Sequence, residues 1–451
     1  MQKTYGSIWL DDRFNAISLI TYMLLVLLAS AFLTNWFSLG DFSFGTVEWY
    51  HAVMIPFTLF LMIVAAASVG LGNRIRAALN LSTYPVIATT LLGIGFMGSP
   101  VGTVAEGVRD AWVMLLAVIF DVGLLIFPFK EKERFKQVFG AYVLLFVASV
   151  SATLAGLYGL LVAQGMFVGY SSMPFLQSYI NGLGINATTF EGNLVTSHSH
   201  EMLPAVMGGI VALTALLVHY EKLDPRKRKL VNAGMLVSTF GVISMSYLYF
   251  ISGLGTYSIP AIAPFGPGGM NGLALDDSQT GIVGWGALIS LVGLWPFVKR
   301  SSVRIASVLT WIFAMLALIG IGYYIEFNES YYGFGSPGVP PNGGPGYAHD
   351  DAFMSGHLMY PFFFLPLLAA VTIYLDWKLP EGSRIRPLVY WLSLSGMVLG
   401  LIGLAVFFVT LIPYVEAAGV ALMGVAMAVG LAGLYGQNFV DFLKPRVRGG
   451  L

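Results

Sequence analysis

Apolar runs of about 20 residues, the length that crosses roughly 30 Å of hydrocarbon, recur along this chain of 451 residues. Their approximate limits are 15 to 36, 47 to 71, 77 to 98, 108 to 129, 137 to 164, 197 to 219, 230 to 252, 279 to 298, 303 to 325, 352 to 376, 387 to 411 and 416 to 437. Hydrophobic residues make up 57% of the sequence and charged residues 10%, a balance that a water-soluble domain of this length does not tolerate. The expected fold is all-α: a polytopic membrane protein of about 12 transmembrane helices, forming a single transmembrane domain over residues 1–451.

Basic residues resist translocation and stay cytoplasmic, and they divide the loops into two sets. One set carries Arg74 and Arg76, the run Lys130 to Lys136, "DPRKRK" at 224 to 229, "KRSSVR" at 299 to 304, "EGSRIR" at 381 to 386 and the tail "KPRVRGG". The other carries long Gly, Pro and aromatic segments such as "PAIAPFGPGGMNG" and "YYGFGSPGVPPNGGPGYAHDD". The expected topology places both termini in the cytoplasm of a prokaryotic cell and the long loops outside its plasma membrane. The flanks of the first run read as ordinary cytoplasmic sequence, so no cleavable signal peptide is expected there. Two Asn-x-Ser/Thr sequons, at Asn186 and Asn328, fall in the outward loops, as surface acceptors require. The absence of cysteine excludes disulfides, iron-sulfur clusters, covalently attached heme and thiolate metal sites. A net charge of zero gives no broad basic surface for nucleic acid.

Runs 2, 6 and 10 share a pattern: "EWYHAVMIPFTLF", "SHSHEMLPAVMGG" and "SGHLMYPFFFLP". Each has a histidine near its outer end, followed by a proline: Pro56 after His51, Pro204 after His200, Pro361 after His357. The histidine intervals, 149 and 157 residues, each cover four runs. The chain therefore reads as three pseudo-symmetric four-helix groups, approximately 1–135, 136–300 and 301–451. A single histidine at such a depth is ordinary interfacial decoration. Four in repeating register, His51, His198, His200 and His357, are expected to be ligands; His349 in its loop and His219 beside "YEKLDPRKRK" are not.

Neutral imidazole binds iron, copper or zinc. Copper and zinc need three or four converging donors, whereas heme needs one or two axial histidines and an apolar slot between helices. Residues two apart on a helix differ by about 200° in azimuth, so His198 and His200 point to opposite sides of run 6 and serve different sites. One of them is completed by His51 and the other by His357, so that the four histidines are expected to hold two hemes b near the outer face, with no copper.

Together these motifs resemble subunit I of the heme-copper oxidase and nitric oxide reductase superfamily. Run 2, "HAVMIPFTLFLMIVAAASVGLGN", is similar to the family's second helix, which bears a low-spin heme ligand, and "HSHEMLPAVMGG" is similar to its tenth, whose His-x-His serves both hemes. The resemblance implies twelve helices in three groups of four across the whole chain. The departures are specific. The His-x-His lies in the middle third, as if the ligand roles had rotated by one repeat; His200 and His357 then take the low-spin heme, and His198 faces His51 across the second site. Run 7 has no histidine where oxidases bind copper, the cross-linked His and Tyr of the sixth helix are missing, and Glu201 alone stands for the acidic set around a reductase's non-heme iron. The arginine pair before the last helix is missing too, since "LIPYVEAAG" has no basic residue.

Other polar residues carry two readings each. Asp121 in "VIFDVGLLIF" feeds a proton path or makes a helix-packing hydrogen bond. Glu201 orients an imidazole, accepts a proton from quinol, or caps a helix end. Arg109, opening run 4 with Asp110 at the outer surface, meets a heme propionate or water. Asp276 and Asp277 read as a helix start. "GFGSPG" at 333 to 338 fits a dinucleotide fingerprint in form only, following no strand and opening no helix. Trp295 and Trp391 read as interfacial belt residues. The expected function is electron transfer near the outer face, between quinol or a partner subunit and an extracytoplasmic cytochrome, copper or iron-sulfur protein of a respiratory complex. The chain is then an oxidoreductase subunit rather than a complete terminal oxidase. The alternatives are a heme-dependent oxygen or nitric oxide reductase and a secondary transporter without heme.

Overall fold

The computed structural model describes residues 8–33, 44–254, 272–316, 364–410, 412 and 414–443. His349, His357, Pro361, the Asn328 sequon and "GFGSPG" lie outside these residues. The described residues fold as helices: α1 (Asp12–Leu33), α2 (Phe44–Val69), α3 (Asn73–Leu81), α4 (Thr83–Gly95), α5 (Pro100–Lys130), α6 (Lys132–Gln137), α7 (Phe139–Val168), α8 (Pro174–Leu183), α9 (Ala187–Leu217), α10 (Pro225–Leu254), α11 (Gly272–Gly293), α12 (Ser301–Met315), α13 (Leu365–Lys378), α14 (Ile385–Thr410) and α15 (Tyr414–Leu443). Among them, nine segments are long and apolar enough to cross a membrane, with α3 and α4 counted together. They correspond to runs 1 to 7, 11 and 12. Runs 8 and 9 are represented by shorter apolar helices, Gln279–Gly293 and Ser301–Met315, and run 10 is described only from residue 364 onward.

Local chemistry sets the helix ends. Ser99 accepts a hydrogen bond from the Gly102 amide at 3.2 Å, with Pro100 in the first turn where its missing N–H costs nothing. Asn186 does the same for α9 through the Thr189 amide at 2.7 Å, so the side chain of that sequon works as a helix cap. Asp276 and Asp277 do not start α11, which begins at Gly272 and has no acidic residue in its first turn.

Prolines inside α2 and α5 leave a carbonyl without its helical donor one turn back, and in an apolar surround that carbonyl needs a replacement. The Tyr22 hydroxyl donates to Ala52 O at 3.2 Å, four residues before Pro56. The Tyr142 hydroxyl donates to Leu124 O at 2.7 Å, four residues before Pro128. Each kink-prone helix is thereby tied to a neighbour.

Without a hydrophobic drive between helices in lipid, close backbone approach through small residues holds them together. A Cβ built on Gly403 would meet the Glu416 backbone, and one on Gly419 would meet Gly400, so α14 and α15 cross on bare glycine. Gly234 and Gly286 do the same for α10 and α11. At the centre, α9 touches both α2 and α13, and Phe60 of α2 meets Tyr374 of α13 edge-on at 5.4 Å. The helices of runs 2 and 6 thus meet each other and the described part of run 10.

At the end of the bundle bearing the basic loops, Asp376 is fully buried. It accepts from Ser301 Oγ at 2.5 Å, the Ser302 amide at 2.8 Å, Arg386 Nε at 3.0 Å and Arg386 Nη2 at 3.4 Å. This cluster joins α12, α13 and α14. Arg386 is therefore a structural cation inside the protein, not a loop charge facing water.

Candidate functional site

A cavity of about 430 Å³ lies between α2, α5, α7 and α9, within the range of small-molecule and cofactor sites. It spans Glu48 to Ala65 along α2 and His198 to Leu213 along α9. Met54, Leu61, Phe120 and Leu203 are among its apolar walls, while Glu48, Glu106, Arg109 and Asp110 line its polar head.

His51 and His198 both line this cavity. The His198 ring is fixed from behind: Nδ1 lies 2.7 Å from Ala155 O, one turn before Gly159 on α7. That bond puts the ring hydrogen on Nδ1 and leaves Nε2 with its lone pair, the tautomer a metal-binding imidazole requires. A Cβ at Gly159 would sit 2.9 Å from His198 Cε1 and 3.0 Å from Nδ1, so only glycine leaves room for the imidazole there. His200 takes another direction. Its ring stacks on Tyr249 of α10 at 5.0 Å, and its Nδ1 lies 3.2 Å from Ser199 Oγ. It is not a lining residue of the cavity. The structure thus sends His198 toward α7 and His200 toward α10. His357 lies outside the described residues.

Arg109 does not open its helix at the surface. It stands in the third turn of α5, 2% exposed, with Nε donating to Asp110 Oδ1 at 2.7 Å and Nη1 buried without a partner. Glu48 and Glu106, also buried, stand beside it, each with one carboxyl oxygen unpartnered. An arginine N–H that is buried and unsatisfied costs about 1–3 kcal/mol, and an anionic group entering the head of the cavity would remove that cost.

The fit to heme rests on these features: two imidazoles on one cavity, one of them held in the ligating tautomer, apolar walls, and a buried guanidinium N–H at the polar end, where propionates need a cation. Among the described residues no group of three or more His, Cys, Asp or Glu gathers to hold an ion.

The remaining polar residues resolve as follows. Asp121 accepts from Ser149 Oγ in a short hydrogen bond and from Thr153 Oγ1 at 2.7 Å, which ties α5 to α7. Glu201, fully buried, accepts from Ser151 Oγ at 3.5 Å, and Ser151 shares a short hydrogen bond with Ser246. It lies inside the α7, α9 and α10 contact rather than at an exposed helix end. Trp295 and Trp391 are exposed. His219 is exposed and adopts a left-handed backbone at φ 58°, with Nδ1 3.1 Å from Glu221. Sequence reasoning missed Glu48, Glu106, Ala155 and Gly159. The first two stand at apolar helix positions where a carboxylate is costly, and that signal was present in "EWYH" and "VAEG".

Searched against protein-family models, curated proteins and solved structures, the chain matches none.

Proposed function

We propose that this chain is a membrane-embedded diheme b-type cytochrome that passes electrons near the outer membrane face, between quinol or a partner membrane subunit and an extracytoplasmic cytochrome, copper or iron-sulfur protein. The observation that carries the reading is the shared cavity of His51 and His198, with the His198 ring held at Nδ1 by the Ala155 carbonyl. In this reading His51 and His198 would hold one heme between them, and Arg109 would balance the negative charge of its carboxylate groups. His200, on the opposite side of α9, pairs with His357 for the other. When bound, heme b supplies a one-electron couple at each iron. The protein's part is to hold the imidazoles in one tautomer, keep water from the apolar walls and balance charge at the polar head. The proposed setting is the plasma membrane of a prokaryote, with twelve spans in three groups, termini in the cytoplasm and the histidines near the outer face. The lining of the first cavity supports this orientation, because its polar head stands at the end of α9 away from the basic loops.

The visible spectrum of the purified protein tests the proposal. Two reduced b-type bands without a carbon monoxide response are expected, since an iron closed by two imidazoles has no open position. A carbon monoxide-sensitive heme would assign a gas reductase instead, and a colourless protein would assign a transporter.

A further inference from the structure

A second cavity, about 570 Å³ in volume, opens at the opposite end of the bundle, where the basic loops gather. It is built from the start of α1 and the ends of α2, α5, α9 and α13. Its deeper wall is apolar, with Val64, Ala67, Phe127 and Leu216. Its rim carries Arg13, Arg134, Lys378 and His219, together with the acids Asp12 and Glu131. Asp12 is already engaged by Arg76 and by Asn80 Nδ2 at 2.7 Å, so its charge is balanced from outside the cavity. Arg134 gives Nη1 to Glu221 at 3.0 Å and keeps other N–H donors. The Lys378 ammonium is fixed over the Trp377 ring at 3.7 Å from its centroid, with Tyr374 at 5.4 Å. Aromatic rings of this kind sit where lipid tails give way to headgroups.

An apolar wall under a rim of fixed cations is complementary to an amphiphile with an anionic head, and basic pockets between helix ends recognise phospholipid phosphates in this way. The strained backbone at His219, the only non-glycine residue at positive φ among the described residues, lies on the same rim. From this juxtaposition we infer that the second cavity is a binding site for a phosphate group, carried by an anionic phospholipid whose acyl chain lies along α2 and α9. The site is independent of any heme.

Native mass spectrometry of the full chain in a zwitterionic detergent tests this, with phosphatidylglycerol, phosphatidylcholine and inorganic phosphate added in turn. One phosphatidylglycerol per chain is expected to be retained at concentrations where phosphatidylcholine is not. Lys378→Gln and Arg13→Gln should each weaken retention by about fivefold, the effect of removing one cation near a membrane surface, while Lys378→Arg should hold it near wild type. Circular dichroism establishes that each variant keeps its helices. Binding of phosphate alone, with the same sensitivity to both variants, would keep the site and make its natural ligand a free phosphate. Equal retention of the two lipids, or retention unchanged in both charge-removing variants, would overturn the inference.

Discussion

Replacing Gly159 with alanine separates a ligand role for His198 from a packing role. The added Cβ would lie 2.9 Å from His198 Cε1 and 3.0 Å from Nδ1, inside the closest approach that carbon atoms tolerate, so the ring must swing away. Movement of even a few tenths of an ångström lengthens the 2.7 Å contact to Ala155 O. Loss of that hydrogen bond costs about 0.5–1.5 kcal/mol, and disturbing the partner that orients a ligating histidine lowers affinity for the metal by about 10–100-fold. The helix responds with the opposite sign, since alanine within α7 is favoured over glycine by roughly 0.5–1 kcal/mol. The two effects nearly cancel, so Gly159→Ala is expected to lose heme from one site while the stability of its helices stays within about 1 kcal/mol of the wild type. Heme per chain, read from the reduced-minus-oxidised spectrum, and thermal loss of helical circular dichroism give the two halves of the result. Full heme occupancy in a well-folded variant would refute the assignment of His198 as a ligand.

His198→Ala and His200→Ala should each remove one heme, measured as heme per chain, because the two side chains leave α9 in different directions; loss of both from either change would contradict the separate sites. Arg386→Ala leaves the Asp376 carboxylate buried beside only Ser301 and the Ser302 amide, and should destabilise the protein by about 3–5 kcal/mol, the cost of breaking a buried pair. Thermal unfolding in detergent measures this, and a change within error of zero would mean that water reaches Asp376. His219→Gly should stabilise the chain by about 1–2 kcal/mol by removing a side chain from a left-handed position, and a lower melting temperature would show that the imidazole is needed there. Lys378 lies just beyond the apolar run, faced by Asp11, immediately before α1, by Asp12 and Arg13 of α1, and by Glu131, Arg134 and His219 across the cavity. Burial first, and then Arg13, hold its ammonium down to about 8. The folded state therefore gives up this proton before the unfolded state does, and stability from this group should rise between about pH 8 and the ordinary lysine value near 10.4. Phosphatidylglycerol retention should fall over the same window as the cation is lost. A midpoint near pH 4 or 6, unchanged in Lys378→Gln, would place the effect on a carboxylate or a histidine.

The membrane character and helical form of this chain were legible in its sequence because both are local. Crossing hydrocarbon takes about 20 apolar residues, and a helix satisfies its own backbone within four residues. The divergence of His198 and His200 is local too, fixed by helical azimuth alone. Which neighbours those faces meet is a different matter. α2, α5, α7 and α9 are apolar on nearly every side, so no polar stripe marks the buried face, and contact in lipid is decided by shape. The resemblance already set His198 facing His51, but only the tertiary structure sets Gly159 against the imidazole and buries Arg109 beside Glu48 and Glu106. The same reason turns Arg386, by sequence one more basic loop residue, into the buried partner of Asp376. A sequence records how many charges a segment carries, but packing across three helices decides where each of them points.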